Sequence, residues 1–285
     1  MGNKPPLFAI VLLFYFSVSA ATANVGRIRC WGDNSFGQLN VPAGLEDVQL
    51  LTAGGWNNCA VAKGVLVCWG HQSSNTPTLS GVTALAAGAE HICAMSDEGV
   101  RCWGNTSQGQ GNIPADITPA RILVAGSSHT CALTDIGVRC WGDNTYLQLK
   151  IPPDVSSADQ MAGGWDHTCV VSQGQLKCWG TSGAAVNIPS LNNVRQIAAG
   201  WLFSCALADS GVQCWGGNSE LVSEVPSEIH GVRRLAAGAA HACAITDSGV
   251  RCWGSGAQGQ LNIPADLGNA REIVAGSVHT CALVD

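Results

Sequence analysis

The tripeptide Cys-Trp-Gly occurs seven times, at Cys30, Cys68, Cys102, Cys140, Cys178, Cys214 and Cys252, at intervals of 34 to 38 residues. A second cysteine series follows a small-residue Ala-Gly step: Cys59, Cys93, Cys131, Cys169, Cys205, Cys243 and Cys281. The two series use all 14 cysteines. Self-similarity at this period restricts the chain to a solenoid, a propeller or another repeat array. Counting separates ring from solenoid. Six members of the second series precede a Cys-Trp-Gly cysteine by nine positions, from Cys59 and Cys68 to Cys243 and Cys252, which leaves Cys281 and Cys30 over. An open solenoid strands both and needs polar capping repeats. A closed ring joins HTCALVD at residues 279–285 to VGRIRCWG at residues 25–32 as a seventh unit.

Each unit reads as β-structure. An alternating run such as HTCALT leads through a turn into GVRCWG, then a polar loop and a short QLNIP segment. Prolines follow these segments (Pro42, Pro114, Pro152, Pro189, Pro264), where they suit the cap of an edge strand. No window sustains a 3.6-residue apolar period with caps, so almost no helix is expected. Three to four short strands in about 37 residues make a small blade. The expected fold is all-β, a seven-bladed propeller closed by pairing of its N- and C-terminal strands.

The nine-residue cysteine spacing has a physical reason. A two-residue Lys63-Gly64 turn pairs Ala62 with Val65, and counting outward sets Cys59 opposite Cys68, within the reach of a disulfide. In AITDSGVRC an Asp247-Ser248 turn followed by Gly249 gives the same opposition, whereas a bulged version shifts the register by one. Zinc is the rival, but CxxC spacing is absent and each unit offers at most two thiols and a histidine. Disulfides are favoured: six within units, and Cys30–Cys281 across the termini. Chain entropy assigns about 2.7 kcal/mol to a ten-residue hairpin and roughly twice that to the ring-closing bridge.

The N-terminus has the layout of a secretory signal peptide over residues 1–23: MGNKPP, then LFAIVLLFYFSV, then SAATA, with cleavage after Ala20 or Ala23. A membrane anchor is the competing reading, but Leu7 to Ala23 is at the short limit for a span and no basic flank follows. Export beside 14 cysteines points to an oxidising compartment, extracellular or periplasmic. Residues 24–285 then form one propeller of about 37-residue repeats. The formal charge is −6, without a Lys/Arg run, which argues against nucleic acid or an anionic membrane as partner.

Residues 87–112, 125–151 and 237–263 carry the best copies of AAGxxHTCALTDSGVRCWGDNSxGQL. This pattern resembles the repeat of the regulator of chromosome condensation family, with cysteines where that family usually has apolar residues. The resemblance implies a seven-bladed propeller. Similar short blades occur in the type II beta-lactamase inhibitor protein of bacteria, and similar cysteine-bearing repeats in the ectodomains of plant crinkly-type receptor kinases. The family's nuclear member is a nucleotide-exchange factor that docks on chromatin, a role that an exported acidic relative is not expected to share.

Five histidines stand two residues before a second-series cysteine: His91, His129, His167, His241 and His279. Asn57 and Phe203 replace them elsewhere. A metal or catalytic ring is one reading; a repeated structural hydrogen bond, each ring sealing a turn against neighbouring backbone, is the favoured one. Asp97, Asp135, Asp209 and Asp247 are turn formers. Asp33-Asn34 and Asp143-Asn144 supply one weak acidic position per loop, less than a calcium cage. No phosphate loop, HExxH or GxSxG is present. Neither an enzyme nor a cofactor or metal is expected.

Residues that break the repeat remain. Trp56, Trp165 and Trp201, with Phe203, fall in or beside the Ala-Gly loops; Phe36 and Tyr146 lie in the loop after Cys-Trp-Gly. Loop aromatics of this kind anchor protein partners or sugar rings, or else pack over gaps between blades. They are the candidate ligand-binding residues. The expected function is recognition of an extracellular or periplasmic protein by a monomeric propeller rim, including an inhibitory role such as the bacterial relative suggests. Carbohydrate binding is the alternative. Asn105-Thr106-Ser107 is a glycosylation sequon in a eukaryotic source.

Overall fold

The computed structural model describes residues 26–71, 75–117, 119–181, 184–217 and 222–285. The expected signal peptide, residues 1–23, lies outside the described residues. Twenty-one strands form seven antiparallel three-stranded sheets, the blades of a propeller. Blade 1 comprises Val48–Ala53, Asn57–Ala62 and Val65–Gly70. Blades 2 to 6 occupy residues 84–104, 120–142, 160–180, 196–216 and 234–254. Blade 7 is assembled from both ends: Ala270–Ala275 and His279–Val284 pair with Arg27–Gly32. Cys30 faces Cys281 in that pairing. The only described helical element is a 3-10 turn, Ala184–Val186, and no described helix is long and apolar enough to cross a membrane.

All seven disulfides form as the spacing demands, with Cα separations of 4.0–4.1 Å. A two-residue turn makes its flanking pair hydrogen-bonded. Alternation outward then places the cysteines at a narrow, non-hydrogen-bonded pair, where side chains come closest. Two turn chemistries reach this one register. Lys63-Gly64 and Gln173-Gly174 take positive φ at both positions, as the hairpin-favoured type I′ turn requires. In the other hairpins an Asp-led pair is followed by a glycine such as Gly249 (φ 108°), and the ladder continues unshifted from Thr246–Gly249 to Cys243–Cys252.

The core is a ring of seven seams between blades. In one, Ile28, Cys281 and Leu283 of blade 7 meet Ala60, Ala62 and Trp69 of blade 1. Six of the seven Cys-Trp-Gly tryptophans, all but Trp103, also lock neighbours by hydrogen bonds among the described residues: Trp69 Nε1 donates to the Gln38 carbonyl and Trp31 Nε1 to that of Gln260, each in the loop left by the preceding blade. The QLNIP segments differ from expectation. They form no fourth strand, so their prolines cap no edge. Instead Val41, Ile113, Ile151 and Ile263 are partly buried and pack their apolar side chains against the seams.

Candidate functional site

The topology sends two loops of every blade to one end of the molecule. The inner strand ends at the Ala-Gly step, and the outer strand ends at Cys-Trp-Gly, paired with the start of the middle strand. Both loops therefore share a rim, here called the Ala-Gly rim; the hairpin turns make the opposite rim.

At the centre of the Ala-Gly rim the backbones close a circle. Gly55 N–H donates to Gly88 O, Ala89 to Ser127, Ser127 to Trp165, Trp165 to Gly200, Trp201 to Ala239, Ala239 to Ser277, and Ser277 back to Gly55, all at 2.9–3.2 Å. This circle surrounds an axial cavity of about 90 Å³ lined by the small residues of all seven Ala-Gly steps and by Trp165 and Trp201. The step needs glycine because blades approach closely there. A Cβ on Gly126 would overlap both the His129 ring and the Gly164 carbonyl of the next blade.

Beneath the circle lie the five histidines, all buried. They are structural, but their partners are side chains of the following blade rather than backbone. His91 Nε2 meets Thr130 Oγ1, His129 meets Thr168, His167 meets Ser204 and His241 meets Thr280, each at 2.8 Å. His279 closes the ring onto Asn58 Oδ1 at 2.9 Å. Asn58 Nδ2 donates to the Gln38 carbonyl, so its Oδ1 accepts from His279 Nε2–H and the bare Nδ1 has no partner. Burial pushes all five down, to about 3 for His129 and His241 and about 4 for His91, His167 and His279. Where Phe203 replaces histidine, Ala242 replaces the hydroxyl; where Asn57 does, Ile92 does. Sequence reading missed this pairing, although its signal, matched losses one unit apart, was present.

Phe203 is accordingly no rim residue. It is 1% exposed and packs in the seam with Ala242 and Trp253. The other five aromatics do sit on the Ala-Gly rim, in three places. Phe36, Trp56 and His71 pack together over blade 1, with ring centroids 5.1–6.3 Å apart. Trp165 and Trp201 stand at the axial mouth, centroids 5.1 Å apart and planes tilted by 36°. The separation follows from one position in the loop: Trp56 aligns with Asp166 and Leu202, not with Trp165 and Trp201. Tyr146 is half exposed in the loop after blade 3, whose Gln148 carbonyl accepts from Trp179 of blade 4. Leu147 and Leu202, which sequence reading passed over, are exposed beside Tyr146 and Trp201.

The acidic loop residues have internal tasks. Asp33 accepts from Ser35 and from the buried Gln38, whose Oε1 takes the Phe36 N–H; Asp143, Thr145 and Gln148 repeat the arrangement. Partial burial opposes ionisation of Asp33, but these hydrogen bonds outweigh it and hold its pKa low. Asp166 goes the other way: burial, then the charge of Asp143, raises its pKa. Among the described residues no group of three or more His, Cys, Asp or Glu is arranged to hold a metal.

The regulator of chromosome condensation (RCC1) repeat matches residues 82–110, 121–148, 194–220 and 232–260. No curated protein matches the chain in sequence. Among solved structures, Prp20p of Saccharomyces cerevisiae is similar at 16% identity and TM-score 0.75, covering 91% of this chain and 92% of that one. The crinkly ectodomain of the Arabidopsis thaliana receptor kinase ACR4 gives 22% and 0.67, covering 83% and 91%. Human WBSCR16 gives 19% and 0.71, covering 91% and 99%. At these identities the likeness is one of fold. The protein thus carries four recognised repeats of the regulator of chromosome condensation type on a propeller of seven disulfide-bonded blades, closed by the pairing of its first and last strands.

Proposed function

We propose that the protein is a secreted binding protein that recognises another protein through its Ala-Gly rim and can act on it as an inhibitor. One observation carries this reading. Of the seven exposed large apolar side chains among the described residues, five (Phe36, Tyr146, Leu147, Trp201 and Leu202) lie on that rim, each where the repeat does not demand it. Rigid exposed aromatics on a pre-formed surface are the usual anchors of an interface. The propeller fold suits a protein-binding role, and the disulfides fit an oxidising compartment outside the cytosol.

Carbohydrate binding is the second reading, favoured by the tilted Trp165–Trp201 pair, which offers a platform for a sugar ring. The test is a pull-down from the host's medium beside a glycan array, each with the native protein and a Trp165→Ala/Trp201→Ala variant. Protein capture lost in the variant supports the first reading. A specific glycan signal lost in the variant reverses the order.

A further inference from the structure

We infer that the partner surface received by this rim is basic, with lysine or arginine around a projecting apolar group, and that it docks on Tyr146, Leu147, Trp165, Trp201 and Leu202. The inference rests on the reading that the rim binds a protein.

Charge is divided along the propeller axis. The Ala-Gly loops and the described loops after Cys-Trp-Gly, as far as the proline that ends each QLNIP-like segment, contain Asp33, Glu90, Asp143, Asp166 and Glu224 against one cation, Lys150. The remaining described lysines and arginines lie on the strands, on the hairpins or at the strand starts of the opposite rim. The described ion pairs, such as Lys63–Glu46, Arg121–Asp135 and Arg233–Asp247, lie there too. None of these five rim carboxylates takes part in a described ion pair. Asp166 is half-buried and feels the charge of Asp143, so a cation brought by a partner relieves a repulsion that the protein leaves in place. An anionic ligand finds the reverse. The circle of N–H donors at the mouth is consumed blade to blade, and no lysine or arginine lines it.

Leu147 marks the contact. It holds φ at 64°, in the left-handed region, where the equivalent positions of other loops are Gly37, Gly109 and Gly259 at φ 78°, 86° and 80°. A leucine there is strained where glycine is not, because its Cβ crowds the backbone in the left-handed region. Its side chain is 53% exposed, so burial within the chain does not offset that strain. Contact with a partner does. The Phe36–Trp56–His71 group, by contrast, is packed on itself and keeps glycine in its loop.

The probe is a displayed library of random 12-residue peptides, selected on the native protein and on Leu147→Gly. Binders of the native protein are expected to be net positive and to contain a bulky apolar residue. Their affinity should fall about tenfold in Leu147→Gly, which melts no lower than the native protein, and about fivefold in Asp166→Asn. Raising salt should weaken them in the native protein and do so less in Asp166→Asn. Binders lost in Trp165→Ala/Trp201→Ala yet neutral or acidic overturn this inference and leave the protein-binding reading standing. Affinity unchanged in Leu147→Gly also overturns it. Enrichment of no peptide, beside a positive glycan array, overturns both.

Discussion

A single position, two residues before the second-series cysteine, sets how neighbouring blades are joined. Histidine there reaches a hydroxyl or amide one blade on, and its loss at Phe203 coincides with the loss of the hydroxyl at Ala242. The pair acts as a unit because a buried imidazole without its partner bears its full desolvation cost. Phe203→His alone should therefore destabilise the protein by about 2–3 kcal/mol, and adding Ala242→Thr should recover at least about 1 kcal/mol. Urea denaturation of the two single variants and the double variant checks this; additive losses contradict the pairing. The Ala-Gly glycines act at the same scale. Gly126→Ala drives a methyl into the His129 ring and the Gly164 carbonyl, and a loss of about 3 kcal/mol is expected in the same assay.

At the scale of the element, the hairpin is over-determined. Two turn types converge on one register, and the sulfurs fasten it at a narrow pair. Removing one such bridge, Cys131→Ala/Cys140→Ala, releases only a ten-residue loop and should cost about 2.7 kcal/mol or less, with the blade still formed. Opening Cys30–Cys281 frees the whole ring, and a loss about twice as large is expected. Paired thermal melts of the two variants under oxidising conditions measure the difference. Equal losses show that the circle of backbone hydrogen bonds, not the sulfur bridge, holds the termini together.

The whole molecule carries a pH dependence that no single blade reveals. Five histidines buried neutral have folded pKa values near 3 to 4, against 6.5 when exposed. Between those limits the unfolded chain binds more protons, so stability is complete above pH about 6.5 and falls as the pH drops toward 4. Each histidine adds up to about 1.4 kcal/mol per pH unit. Chemical denaturation at pH 7.5, 6.5 and 5.5 should show a steep loss across the lower interval. A double replacement that copies blade 5, His129→Phe/Thr168→Ala, should make that slope shallower by about one proton. Stability flat from pH 7 to 5 contradicts the buried-neutral assignment.

Seven units, closure through the terminal halves, and every cysteine pairing were legible in the sequence. They depend on count and on short-range register, and a nine-residue spacing survives any turn that keeps its strands in step. The tertiary structure alone decided what lies across the seams and along the axis. Histidine partners are 37 to 39 residues away, or 221 where the ring closes, so no local window contains both members. Phe203 reads like a loop aromatic, yet it faces a seam because its position is that of the buried histidines. Trp56 reads like Trp165 and Trp201, yet a one-residue offset in the loop turns it away from the axis toward Phe36 and His71. The side chain's direction at a strand end changes with each residue, and only the closed ring determines which direction is core, which is axis and which is solvent.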